Sequence, residues 1–476
     1  MVIDLPAATK KSNIMFKKEI YQQRRKGLKQ QLTSGLVLLL GNEESPMNFK
    51  DNTYHFRQDS NFLYYVGIDQ PHLAAVIDID EGQTILFGDD LTIDHIVWMG
   101  PQPSIQELAG RAGIEWVSAY GTLADKLKTA QDAGRTIHYL PPYRSEDVIK
   151  LHHWLGTPVK EVESGASEAL IRGVVAQRSI KTAEEVAQLE MAVTITGAMH
   201  VASMKAARAG KKEAELAGLV EGIVVGAGGH LSFPIIMTIN GQTLHNHYHG
   251  NTMQEGQLLL GDFGAENAMH YAGDITRTYP VAKTFSQQQK EIYNIVLKAL
   301  NDSIVACKPG IPYKDIHMGA SKIIASGLKD LGLMKGDVDE AVAAGAHAMF
   351  FPHGLGHMLG LDVHDMEDLG ENLVGYDETV ERSTQFGARS LRLGRALQTG
   401  FVLTVEPGIY FIPELIDMWK AEGKFTDFIA YDKLEAYRSF GGIRIEDDVL
   451  ITEKGSHVLG KPIPKTVAEV EAVRAS

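Results

Sequence analysis

The C-terminal half of the chain carries acids and histidines spaced for metal chemistry. Leu258-Leu-Leu-Gly-Asp262-Phe-Gly is a short apolar run ending in an acid, which puts a carboxylate at the edge of a buried strand. Twelve residues on comes Asp274-Ile-Thr-Arg-Thr-Tyr-Pro280, where a period of two places Asp274, Thr276 and Thr278 on one face. Antiparallel pairing of the two runs predicts Asp262 and Asp274 side by side. Two carboxylates that close repel, and one stays protonated unless a cation lies between them. Val402-Leu-Thr-Val-Glu406-Pro is another apolar run with an acid at its end, and Pro407 biases Glu406 to an extended backbone. In Gly441-Gly-Ile-Arg444-Ile-Glu446, alternation sets Arg444 and Glu446 on one face, an arginine beside an inward acid.

The fifth motif is His353-Gly-Leu-Gly-His357-Met-Leu-Gly-Leu-Asp-Val-His364-Asp365. The spacing of His353 and His357 invites comparison with helical zinc-peptidase sites, but Gly354 stands where the acid belongs, and Pro352, Gly354 and Gly356 disfavour a helix. These histidines are expected on a loop and strand, in separate roles. Each motif alone reads as easily as a capped turn, a satisfied core histidine or a surface ion pair. Together they supply four carboxylates and one or more histidines at apolar strand ends. Hard oxygen donors with little nitrogen and no sulfur suit Mn²⁺ or Mg²⁺, with Co²⁺ or Zn²⁺ as competitors. Four carboxylates balance two divalent cations, which points to a two-metal hydrolytic site with ions about 3.5–4 Å apart.

The elements that must hold these residues divide the chain in two. Ile14–Leu32 is amphipathic and predicts a helix; Gly35–Leu40, Ala74–Ile79 and Thr84–Gly88 predict buried strands; Leu123–Ala130 and Glu146–Leu155 predict helices. Residues 1–175 thus form a strand–helix α/β unit. Gly156, Pro158, Ser164 and Gly165 punctuate a boundary. A capping-box pattern at Thr182-Ala-Glu-Glu185 then starts a helix, and Glu213–Val224 and Ser286–Val305 predict two more. Residues 176–476 carry the chemistry. The bland readings fall on His138, His152, His153 and His317 as structural or surface groups, Cys307 as a buried thiol, and 344–350 as core.

Composition narrows the classes further. The chain has 476 residues, 44% hydrophobic, and 46 basic against 60 acidic side chains, a net charge of −14. No basic footprint for nucleic acid and no polybasic membrane patch exists. One cysteine excludes an intramolecular disulfide framework. The first residues lack the apolar core of a secretory signal, and no apolar run approaches the length of a membrane span, so a cytoplasmic protein is expected.

The motifs LH, GDFGAE, AGDITRTYP, HGLGHMLGLDVHD, TVEPGIY and GIRIEDD, in this order and spacing, resemble the "pita-bread" dinuclear metallopeptidases that cut Xaa-Pro bonds, aminopeptidase P and prolidase. The resemblance covers about residues 178–460 and extends weakly to His55-Phe-Arg-Gln-Asp-Ser-Asn-Phe-Leu-Tyr-Tyr-Val-Gly67. It implies an N-terminal aminopeptidase P-like α/β domain followed by a C-terminal pita-bread α+β catalytic domain. It implies two divalent ions, Mn²⁺ first, held by Asp262, Asp274, His357, Glu406 and Glu446. Glu406 is then the proton acceptor and donor, His245 and His364 stabilise the oxyanion or hold the scissile group, His353 positions the proline side, and Arg444 orients a ligand carboxylate. His247 is the competing alignment for His245.

Two further residues carry specificity in this reading. Arg392, in Arg389-Ser-Leu-Arg392-Leu-Gly-Arg395, matches the prolidase arginine that holds the free carboxylate of proline; the alternative is a solvated basic helix. Trp98 resembles an aminopeptidase P aromatic that reaches a neighbouring subunit; the alternative is a half-buried core tryptophan. The implied partners are peptides with proline in the second position and a second copy of the chain, as homodimer or homotetramer. The intact ligand set disfavours a non-catalytic binding protein and metal-free amidinohydrolase chemistry on the same fold. The N-terminal 175 residues disfavour a methionine aminopeptidase.

Overall fold

The computed structural model describes residues 15–476. By internal contacts these form two units, one running to Arg178 with the short piece 368–373, the other comprising 179–367 and 374–476.

In the first unit, five strands form a mixed sheet: β1 (Leu36–Leu40), β2 (Ala74–Asp78), β3 (Thr84–Phe87), β4 (Trp116–Ser118) and β5 (Ile137–His138), in the order β4-β3-β2-β1-β5. β1, β2 and β3 pair antiparallel, while β4 and β5 add parallel edges. The apolar runs of the sequence are these central strands, and Leu36, Leu38, Val76 and Phe87 pack with Leu123, Leu127 and Leu151 from the flanking helices Leu123–Asp132 and Ser145–Leu155. The first helix spans Lys18–Lys29, shorter than the periodicity predicts. The start of the predicted segment, Ile14, lies outside the described residues. Three short helices, Ser60–Tyr65, Ile93–Met99 and Ile105–Arg111, carry too few turns to show a period in sequence.

The second unit is scaffolded by long helices. Ala183–Ala206 starts on the predicted capping box of Thr182 with Glu185, and Gln287–Ala306 on an equivalent box of Ser286 with Gln289. Glu213–Gly226 and Tyr313–Asp330 complete the set of long helices. The strands are β6 (His230–Leu231), β7 (Ile236–Thr238), β8 (Leu258–Phe263), β9 (Ala265–Glu266), β10 (Ile275–Pro280), β11 (Val402–Val405), β12 (Gly408–Tyr410), β13 (Gly442–Arg444), β14 (Asp447–Thr452) and β15 (Gly455–Val458). They make small antiparallel sheets, β10-β8-β7, β11-β14-β15, β12-β13 and β6-β9.

Pairing register corrects one expectation. Asp262 of β8 faces Thr276 of β10, not Asp274. Asp274 immediately precedes β10, so by the strand's period of two it is offset diagonally from Asp262, on the same face as Thr276. β8 is also the middle strand of its sheet, so Asp262 sits at a strand end but not at a sheet edge. The His353–His364 segment is irregular, as its glycines require. A Cβ on Gly356 would run into the Thr404 carbonyl oxygen, so only glycine lets this loop lie against β11. That close approach is what brings His357 next to the strand ending in Glu406.

Candidate metal centre

The ends of β8, β10, β11 and β13 converge on one cavity of about 530 Å³, within the size range of small-ligand sites. Its wall includes Asp262, Asp274, His357, Glu406 and Glu446, and also His245, His353, His364, Arg392 and Arg444. Asp274, His357 and Glu446 each offer a ligand atom, all within 4.8 Å of one another. The His357 Nε2 atom is 3.3 Å from Asp274 and 3.7 Å from Glu406. Nδ1 of His357 is 3.0 Å from the Met358 carbonyl. A carbonyl can only accept, so Nδ1 carries the proton and Nε2 keeps its lone pair for a cation.

The carboxylates are held by the chain but not neutralised by it. Thr276 Oγ1 donates to Glu446 at 2.7 Å, and the Asp274 N–H donates to Asp448 at 2.9 Å. Arg444 pairs with Asp262, and its Nε and Nη1 donate to Thr276 Oγ1 and the Tyr410 hydroxyl at 3.0 and 2.8 Å. The other oxygen of Asp262 is buried with no hydrogen-bond partner. Burial drives Asp274 up to about 8, with the Asp262 charge adding to it. Burial likewise drives Glu406 up to about 7, and Glu446 well above the usual carboxylate range. A buried orphan oxygen and three carboxylates that cannot all ionise together fit a site built for divalent cations. The five residues supply oxygen donors and one imidazole, a donor set that suits Mn²⁺ and admits Co²⁺ or Zn²⁺.

Histidines surround this cluster. His353 Nδ1 donates to the Gly354 carbonyl at 2.8 Å, which leaves Nε2 to accept from the Tyr410 hydroxyl at 2.8 Å. Burial lowers its pKa to about 3, so the ring is neutral. His364 packs its ring 4.2 Å from that of His357 and pairs with Glu367. Of the two competing histidines, both line the cavity. His245 feels burial and then the charges of Arg444, Asp262 and Arg392. His247 hangs on the Ile235 carbonyl at 3.3 Å. Arg392 follows a short 3₁₀ turn at Ala388–Ser390 and lines the cavity, so it does not lie on a basic helix. Trp98 belongs to the first unit and is not among the lining residues; it is 88% exposed, not half-buried in a core. Sequence reasoning gave no role to Tyr410, Thr276 or Glu367. The strand period that placed Asp274 and Thr276 on one face was the available signal for the threonine.

Comparisons with known proteins place the chain in a family. The profile described as "Metallopeptidase family M24" matches residues 187–453, and "Aminopeptidase P, N-terminal domain" matches 21–138. The chain belongs to metallopeptidase family M24, with an aminopeptidase P-type N-terminal domain and a pita-bread C-terminal domain, and in that class it is a metallopeptidase hydrolase. It is 36% identical to Xaa-Pro dipeptidase of Homo sapiens over 92% of this chain and 88% of that protein. It is 32% identical to Xaa-Pro aminopeptidase of Escherichia coli K12 over 95% and 97%. Among solved structures, aminopeptidase PepP of Pseudomonas aeruginosa aligns with a TM-score of 0.79 at 29% identity, over 97% of this chain and 99% of that one.

Proton linkage gives a test of the site. In the metal-free chain, Asp274 and Glu406 hold protons up to about 8 and 7, which the unfolded chain releases near 3.8 and 4.5. The folded state then binds more protons than the unfolded state, so these groups lower stability as pH rises through that window. A divalent ion replaces the protons. The gain in melting temperature on adding Mn²⁺ is therefore expected to be larger at about pH 8 than at about pH 5. Equal gains at the two pH values would contradict the assignment.

Proposed function

We propose that the chain is a dinuclear, Mn²⁺-dependent exopeptidase that hydrolyses the Xaa-Pro bond at peptide N-termini. The observation that carries this reading is the convergence of Asp262, Asp274, His357, Glu406 and Glu446 on one cavity whose wall also holds four further histidines and Arg392. When bound, the ions supply the charge that polarises a scissile carbonyl and makes water acidic enough to react at neutral pH. The remaining steps belong to the chain. Glu406, whose two oxygens lie 3.7 Å from His357 and 4.0 Å from His353, takes a proton and returns it to the leaving nitrogen. His245 and His364 stand on the cavity wall where they can stabilise a developing oxyanion. His353, with both ring nitrogens engaged inside the protein, offers its ring as a wall for the proline side. An Xaa-Pro bond has no N–H, so a shaped pocket has to replace backbone gripping.

A second reading is favoured by one observation. Arg392 in the cavity supports an Xaa-Pro dipeptidase, in which the guanidinium holds the free carboxylate of proline. In the first reading, Asp274→Asn abolishes hydrolysis of both Ala-Pro and Ala-Pro-Ala; full activity in this variant would sink the metal-centre proposal. In the second, Arg392→Ala raises KM for Ala-Pro by about tenfold or more, as expected for a lost charge-assisted pair, and leaves Ala-Pro-Ala nearly unchanged. Equal effects on the two peptides would count against the clamp.

Self-association is part of the proposal. Trp98 lies on the helix Ile93–Met99 with Ile93, Val97 and Met99, all exposed. Such an apolar group is suited to cover by a second copy of the chain, as dimer or tetramer. Sedimentation of the wild type should give an oligomer, and a Trp98→Ser, Val97→Ser variant should shift towards monomer. A monomeric wild type would refute this part.

A further inference from the structure

Glu367 is outside the ligand set, yet it touches both ends of the candidate substrate site. One of its carboxylate oxygens pairs with Nδ1 of His364. The other accepts from Nε of Arg392 at 3.1 Å. Both partners line the cavity. In the readings above, His364 stands near the scissile bond and Arg392 at the carboxyl end, so one carboxylate spans the two functions.

The chain invests in putting it there. Lys181 and Asp365 form an ion pair at 2.8 Å with both side chains 1% exposed. The Asp365 N–H also donates to the Met358 carbonyl at 2.9 Å. Met366 then takes φ of +65°, the left-handed region that a non-glycine residue seldom adopts. The Glu367 N–H closes the turn on the His364 carbonyl at 3.1 Å. The result returns the Glu367 side chain to the ring three residues earlier. A carboxylate only accepts when ionised, so it fixes Nδ1 of His364 as the donor and leaves Nε2 for other partners.

We propose that Glu367 is a positioning residue that couples His364 to Arg392, setting the orientation and tautomer of the histidine and the direction of the guanidinium together. Substrates with a free proline carboxylate depend on both effects, and longer peptides depend only on the first. This inference rests on the Xaa-Pro reading.

The test compares wild type, Glu367→Ala, Glu367→Gln, Arg392→Ala and the Glu367→Ala, Arg392→Ala double variant, all metal-loaded, on Ala-Pro and Ala-Pro-Ala. Glu367→Ala is expected to lower kcat on both peptides by about 10- to 100-fold, the scale of a misplaced catalytic group, and to raise KM for Ala-Pro alone. In the Arg392→Ala background the same change should lower kcat again but add no further rise in KM. Glu367→Gln, of the same shape, retains one acceptor and should fall between wild type and Glu367→Ala. Nitrogen-15 NMR of the imidazoles, with diamagnetic Zn²⁺ in place of Mn²⁺ and His364 assigned by its loss in His364→Ala, should show the Nδ1–H form in wild type and a mixture in Glu367→Ala. An unchanged KM for Ala-Pro in Glu367→Ala, equal KM increments in both backgrounds, or unchanged His364 signals would overturn the inference. Should the wild type cleave neither peptide, the Xaa-Pro reading fails, and the NMR comparison alone decides whether Glu367 sets the ring.

Discussion

The second unit is organised around four carboxylates buried within reach of one another. Elsewhere the chain supplies a cation for some of its buried acids. Asp447 pairs with Arg277 and Lys465, and its pKa is lowered despite complete burial. Asp365 pairs with Lys181. At the site the pattern reverses. Arg444 serves Asp262, Asp274 and Glu406 have histidines beside them whose pKa values burial lowers, and burial pushes Asp274, Glu406 and Glu446 upwards. Carboxylates left this short of positive charge fit a site for metal binding.

That constraint explains the sheet architecture. Several small antiparallel sheets replace one large one because each need only deliver a strand end to the same place. Glu406 leaves β11 through Pro407, Asp274 enters β10, Asp262 lies one residue before the end of β8, and Glu446 sits between β13 and β14. A single buried guanidinium ties these pieces together. Arg444 touches Asp262, Thr276 and Tyr410, and Tyr410 passes the contact on to His353. The series runs from one proposed ligand to a wall histidine.

Much of this was legible because the motifs are local. An apolar run ending in an acid marks a strand end without knowledge of its partner, and alternation put Arg444 and Glu446 on one face. The capping box at Thr182 set the start of the long helix at Ala183. What stayed hidden depends on contacts distant in sequence. The register that sets Asp262 opposite Thr276 is a pairing decision that no single strand encodes. The Lys181–Asp365 pair joins residues 184 positions apart. β4 and β5, with three and two residues, are too short to show a period. Glu367 had a local signal, three residues after His364, but an acid at that spacing is common and only the left-handed Met366 turns it back onto the ring.

The two arginines of the cavity also bear on selectivity. Each already holds a carboxylate of the chain, Arg444 that of Asp262 and Arg392 that of Glu367. A peptide carboxylate arriving at Arg392 does not meet an uncommitted charge. It shares the guanidinium with Glu367, whose own carboxyl is held down to about 2, chiefly by its bond to His364. The bond to Glu367 uses Nε, one of the five N–H donors that a planar guanidinium directs along separate edges. The resident acid thus fixes the plane in advance, which reduces the ordering cost of binding, while its charge opposes the incoming one and limits the gain. In the proposed dipeptidase reading, a clamp of this kind would favour the dipeptide without rejecting longer chains. In the proposed reading, the balance between dipeptide and longer peptides would be set by how firmly Glu367 keeps its hold on Arg392.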